Sequence, residues 1–186
     1  ASLRRLAHYD YWADGFKRSL LLDSGADLIS YGMGERSIVE IADALASGIS
    51  IRDVTFVNGT VYKTSHREDV YDAVFLPDYE SMKADKTLYA KSFAIQQKNA
   101  DPIRGKRMAE QYSEHLFVVQ NPPARPLSEE EMDQVYDLPF QRAVHPSCLK
   151  EGAVPAFSEI KFSLASCRGC FGACSFCALT FHQGRI

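Results

Sequence analysis

Four of the chain's five cysteines fall within eleven residues, Cys167-Arg-Gly-Cys170-Phe-Gly-Ala-Cys174-Ser-Phe-Cys177, and no other feature restricts the fold as tightly. Thiols this dense lie on one tight loop and act as a group. Gly169 and Gly172 suit such a loop, because glycine tolerates φ values and close approaches that a Cβ would block. Tetrahedral zinc would take all four cysteines. Structural zinc sites, however, usually pair two knuckles separated by about a dozen residues or more, whereas only Phe171 to Ala173 separate the outer pairs here. Disulfides are disfavoured by the odd cysteine count and by the lack of a signal-peptide pattern. Cys148 reads as a free thiol.

Cys170, Cys174 and Cys177 form CxxxCxxC with Phe176 just before the third cysteine, and this pattern resembles the cluster-binding signature of radical SAM enzymes. The resemblance implies that these three thiolates ligate a [4Fe–4S] cluster. Such clusters normally take four thiolates, so three leave one iron with an open position. In the superfamily that iron chelates S-adenosylmethionine (SAM), and an electron from the reduced cluster cleaves the sulfonium to a 5′-deoxyadenosyl radical. The cofactor carries the hard chemistry and the protein positions it. Phe176 would lie beside the adenine, and Cys167 would be a bystander.

The likeness extends beyond the cysteines. The stretch from Arg168 to Ile186, together with blocks at 1–14, 20–36 and 121–132 and the pair Leu138-Pro139, resembles the YgiQ-type radical SAM family, a bacterial and archaeal group of unassigned reaction. Two positions depart from the family pattern: Ala173 stands where a second glycine is expected, and Cys167 where no cysteine is. A (β/α) barrel of roughly 200 residues or more should follow the cysteine loop. Only nine residues, Ala178 to Ile186, follow Cys177. The resemblance therefore implies a fragment of a longer protein.

Periodicity predicts an α/β domain over residues 1–120. A helix is expected over 9–23, with Tyr11, Trp12, Phe16, Leu20 and Leu21 on one face. A buried strand at 26–31 closes at Gly32-Met33-Gly34 and feeds a helix over 37–46. That strand–turn–helix layout resembles the Gly-x-Gly-Glu turn of cobalamin-binding-type domains. The resemblance implies a partial Rossmann-like fold, without the cobalamin-ligating motif. Asn58-Gly59 predicts a hairpin over 55–62. Residues 64–75 read as loop, 78–100 as helix bent near Asp85-Lys86, 107–115 as helix, and 116–119 as strand. A helical, proline-stiffened linker spans 121–157, with a capping-box start at Ser128. The segment 158–186 would begin the barrel, with its first strand at 160–164 leading into the cysteine loop.

The chain has 186 residues, 46% of them hydrophobic and 24% charged, which is globular composition for one core with appendages. Its net charge of −3 comes from interspersed charges, so no basic field indicates nucleic acid. No apolar run is long enough for a membrane span. A reducing, cytoplasmic setting follows, and the family implies a reductant such as flavodoxin or ferredoxin acting with an unknown substrate. His145 and His182 read as surface or structural residues. The cluster near His8 reads as helix-face packing, against the alternative of a stacking surface. Two rival readings remain: a zinc-stabilised binding module closed by Cys167, Cys170, Cys174 and Cys177, and an α/β interaction domain indifferent to the cysteines.

Overall fold

A computed structural model of the chain describes residues 4–164 and 168–183, so Cys167 lies outside the described residues. The N-terminal segment departs from the expected helix. β1 (His8–Asp10) and β2 (Gly15–Lys17) pair as an antiparallel hairpin, and only α1 (Leu20–Ser24) is helical. The cause is local. Asp10 Oδ1 accepts from the backbone N–H of Trp12 (3.0 Å) and Ala13 (3.1 Å), a side-chain mimic of a backbone turn, and Asp14 completes the reversal at φ 43°. The aromatic spacing that suggested a helix face leaves Trp12 95% exposed at the turn.

β3 (Leu28–Ser30) follows, shorter than the predicted strand, and α2 (Glu35–Ala46) occupies the predicted helix. Beyond it come β4 (Thr60–Thr64), β5 (Ala73–Phe75), α3 (Tyr79–Ala84) and α4 (Lys86–Lys98). The expected bend is real: Asp85 ends α3 in an extended conformation and caps α4 through Thr87 N–H (2.8 Å). The sheet is completed by β6 (Arg107–Ser113) and β7 (Leu116–Gln120). β6 corrects the helix expected at 107–115, because pairing with β7 on one side and β5 on the other overrides local propensity.

The five strands run in the order β3-β4-β7-β6-β5, and every neighbouring pair is antiparallel except β5 with β6. The α/β class therefore holds. The Rossmann-like winding expected from the turn does not appear in this sheet, since that layout rests on parallel strands joined by crossover helices. Both sheet faces are buried. Val61, Met108 and Val118 pack on one face with Leu6, Leu21 and Leu76, whereas Tyr62, Ala109, Phe117 and Val119 pack on the other with Val70. Successive side chains alternate sides, so apolar runs such as Phe117-Val-Val119 serve both layers.

The predicted Asn58-Gly59 hairpin is corrected in part. The turn exists, with Gly59 at φ 74°, but residues 55–57 do not form a strand against β4. Buried Asn121 holds them instead: its Nδ2 donates to the carbonyls of Thr55 (2.9 Å) and Val57 (3.0 Å), and its Oδ1 accepts from Arg107 Nε (2.8 Å).

The contacts divide the chain into two units, one of Ala1–Pro126 with Gly169–Ile186 and one of Leu127–Arg168. The second carries α5 (Glu129–Tyr136), α6 (Pro146–Lys150) and α7 (Phe157–Ile160). The predicted capping box is present, with Ser128 Oγ accepting from Glu131 N–H and Glu131 Oε2 accepting from Ser128 N–H. The strand expected at 160–164 is not formed: α7 ends at Ile160, and Phe162 and Leu164 are exposed. Strand formation requires a partner, and no described strand pairs with this segment.

Glu110 on β6 is fully buried, with Oε1 accepting from Ala7 N–H (2.8 Å) and Oε2 without a hydrogen-bond partner. Burial pushes its carboxyl from 4.5 up to about 7, although Tyr112 nearby and the Ala7 N–H hold part of the rise back. Folding thus favours the protonated form. The associated stability is fully present below pH 4.5 and is lost as pH rises to about 7, a span corresponding to about 3 kcal/mol. Chemical denaturation between pH 4.5 and 8 should show this decline, and Glu110→Gln should flatten it while keeping an acceptor for Ala7. An equally steep profile in the variant would assign the effect to other groups.

Candidate functional site

The cysteine loop runs from Arg168 to Cys177 and feeds α8 (Ala178–Gln183). Gly169, at φ 72°, donates its N–H to Gln183 Oε1 (2.9 Å), which ties the start of the loop to the end of the helix that follows it. Gly172 N–H points at Cys170 Sγ (3.4 Å), and Cys174 Sγ points at Gly172 O (3.7 Å). A Cβ at Gly172 would stand 3.4 Å from Cys170 Sγ and 3.6 Å from Cys174 Sγ. Two of the three predicted ligands therefore gather around one glycine. Cys177 follows through a turn, its N–H donating to Cys174 O (3.0 Å).

Cys170 and Cys174 are exposed, Cys177 is half-buried, and all three are free thiols. Among the described residues no three His, Cys, Asp or Glu side chains form a group that could hold a metal ion. The donor set suits an iron–sulfur cluster: three soft cysteine sulfurs on a short loop, a backbone N–H directed at one of them, and no carboxylate among them. Phe176 is exposed beside Cys177. Ala173, which replaces an expected glycine, sits at φ 46°, a left-handed conformation that costs a non-glycine residue roughly 1–2 kcal/mol. The departure from the family pattern thus falls at a position where the backbone itself favours glycine.

α8 is docked on the α/β core. Thr180 and Phe181 are buried, and the Phe181 ring lies 5.2 Å from that of Phe93 on α4. Arg5 makes the central connection. It is buried, donates from Nη1 to the Phe181 carbonyl and from Nε to Gln120 Oε1 (3.1 Å), and lies 4.2 Å from the centre of the Tyr31 ring. Burial holds the Tyr31 phenol well above its ordinary pKa, and it donates to Asn121 O (2.6 Å). The adjacent turn approaches α8 closely: a Cβ on Gly32 (φ 77°) would come within 3.1 Å of His182 O. Arg5, Gln120 and Gly32 carried no sequence signal for this role. His145 caps α6, its Nδ1 accepting from Ser147 N–H, and Cys148 is half-buried on the same helix.

A family model described as radical SAM N-terminal matches residues 1–163. The chain belongs to this family. Its relatives include a UPF0313 protein of Clostridium botulinum strain Kyoto, 50% identical over 186 residues, and a UPF0313 protein of Clostridium perfringens strain 13, 48% identical over 187 residues. Each alignment covers all of this chain and 29% and 28% of the respective relative. The YgiQ-type resemblance is thereby borne out across the whole chain, cysteine loop included. No solved structure matches it. Among the described residues no helix is long and apolar enough to cross a membrane.

Removing the Arg5 guanidinium leaves two acceptors unpaired, at about 1–3 kcal/mol for each buried group. Arg5→Met and Gly32→Ala should each lower the melting temperature and raise hydrogen exchange at 178–183 more than in the central strands. Uniform acceleration, or none at α8, would refute the docking role.

Proposed function

We propose that this radical SAM chain uses Cys170, Cys174 and Cys177 to hold a [4Fe–4S] cluster in an enzyme that acts on an organic substrate by hydrogen abstraction. When bound, the cluster supplies an open iron for SAM and the electron that reductively cleaves it to a 5′-deoxyadenosyl radical. The observation that carries the reading is the convergence of Cys170 Sγ and Cys174 Sγ on Gly172, in the one loop whose spacing matches the superfamily signature. The chain's residues divide the work. The three thiolates provide charge and softness, Gly172 keeps the space between two sulfurs open, and its N–H lies where it tunes a ligating sulfur. Phe176 offers a flat apolar face for the adenine. Docked α8 fixes the end of the loop. The intact enzyme would draw electrons from a flavodoxin or ferredoxin in the reducing cytoplasm, which suits an oxygen-sensitive cluster.

A zinc module remains the rival reading, and it needs Cys167 as a fourth ligand. Anaerobic reconstitution with iron and sulfide, followed by metal analysis and EPR of the dithionite-reduced protein, separates the two. About four irons per chain are expected, with an EPR signal that changes on adding SAM. Serine at Cys170, Cys174 or Cys177 should abolish the signal, and serine at Cys167 should spare it. One zinc per chain, lost with any of the four cysteines, would overturn the proposal.

A further inference from the structure

Beside the cysteine loop lies a cavity of about 190 Å³ whose far wall belongs to the α/β core. Tyr89, Phe93 and Gln96 of α4 line it at helical spacing, facing Phe176 from the loop and Phe181 from α8. His8 and Arg5 contribute from the N-terminal segment. The lining excludes some ligands. It contains no carboxylate and carries the Arg5 guanidinium, which disfavours a cation. Its volume of about 190 Å³ lies below the roughly 300 Å³ at which pockets for drug-sized ligands begin, which suits one ring system.

The polar groups narrow the class further. Gln96 donates one N–H to Ser92 Oγ (3.1 Å) and keeps its carbonyl oxygen and second N–H, an amide edge of the kind that pairs with a base edge. His8 contacts the Tyr89 hydroxyl through Nδ1 (3.2 Å), leaving its other ring nitrogen, and burial foremost holds it below its ordinary pKa. Ser175 adds a hydroxyl to the lining. A plain phenyl ring would desolvate these groups without pairing them, at about 1–3 kcal/mol each, whereas a heterocycle with several ring donors and acceptors would satisfy them. Aromatic walls supply the stacking surface, worth about 1–3 kcal/mol per base.

We propose that this cavity, formed where α4 and the His8 segment face the cysteine loop, binds a nucleobase-type heterocycle belonging to the substrate. The proposal rests on the cluster reading for its catalytic meaning, and on the cavity alone for binding. Phe176 is 90% exposed, so lining this cavity leaves most of its ring open for the adenine of SAM, and the two ligands can be held together.

The test uses the full-length protein with its cluster reconstituted, titrated calorimetrically with adenosine, guanosine, cytidine, uridine and N-acetylphenylalaninamide under saturating SAM. At least one nucleoside should bind tenfold or more tighter than the phenylalanine derivative. Gln96→Leu should weaken it at least tenfold with an unchanged melting temperature; if that variant is unstable, His8→Phe serves the same purpose. Equal or better binding of the phenylalanine derivative, nucleoside binding abolished by SAM, or binding unaltered in a folded variant would each overturn the proposal. Protein that takes up no iron would defeat the cluster reading separately. The same titrations of that iron-free protein would still decide the cavity.

Discussion

Arg5 is the interaction on which the arrangement of the site depends. Its guanidinium is buried, and a buried charge persists only where its donors are used and its field is compensated. Nε is bound by Gln120 at the end of β7, Nη1 by the Phe181 carbonyl in α8, and the plane stacks near the Tyr31 ring at the end of β3. One side chain near the start of the chain thereby joins two strands to a helix more than 170 residues later. The cysteine loop is held because the helix that continues it is held. Gly32 adds to the fit, since a side chain there would press on the His182 carbonyl of α8.

A second buried polar network keeps this platform rigid. Asn121 uses its side-chain amide on Thr55, Val57, Thr60 and Arg107, and its carbonyl accepts from Tyr31. Five partners satisfied by one residue leave little freedom to the loop before β4 or to the start of the proline-rich connector. Glu110 anchors the N-terminal segment through Ala7 N–H, so the segment that carries Arg5 and His8 to the cavity is fixed by a carboxyl on β6. The cavity wall and the loop platform are thus products of the same few buried hydrogen bonds.

The reading from residues succeeded where the determinant was local. α2, the break between α3 and α4, and the Ser128 capping box all depend on periodicity or on side chains within a few positions of the backbone they cap. It failed where pairing partners lay far away. Arg107–Ser113 has a sequence that either element could use, and becomes β6 because β7 and β5 flank it. The aromatic run at 9–16 looked helical by spacing, yet Asp10 closes a turn that the spacing does not reveal. The expected barrel strand at 160–164 lacks a partner among the described strands and remains unpaired.

The sequence by itself determined the family and the grouping of three thiols on one loop, because CxxxCxxC with its glycines is a local pattern whose cysteines lie within eight residues of one another. It also determined the α/β class through its alternation of apolar runs and helical stretches. Only the tertiary structure decided the strand order, the docking of α8 and the cavity beside the loop. Those features arise from pairs such as Arg5 with Phe181, Ala7 with Glu110 and Gly32 with His182. Each pair is separated by 100 residues or more, and its members meet only after the sheet has formed.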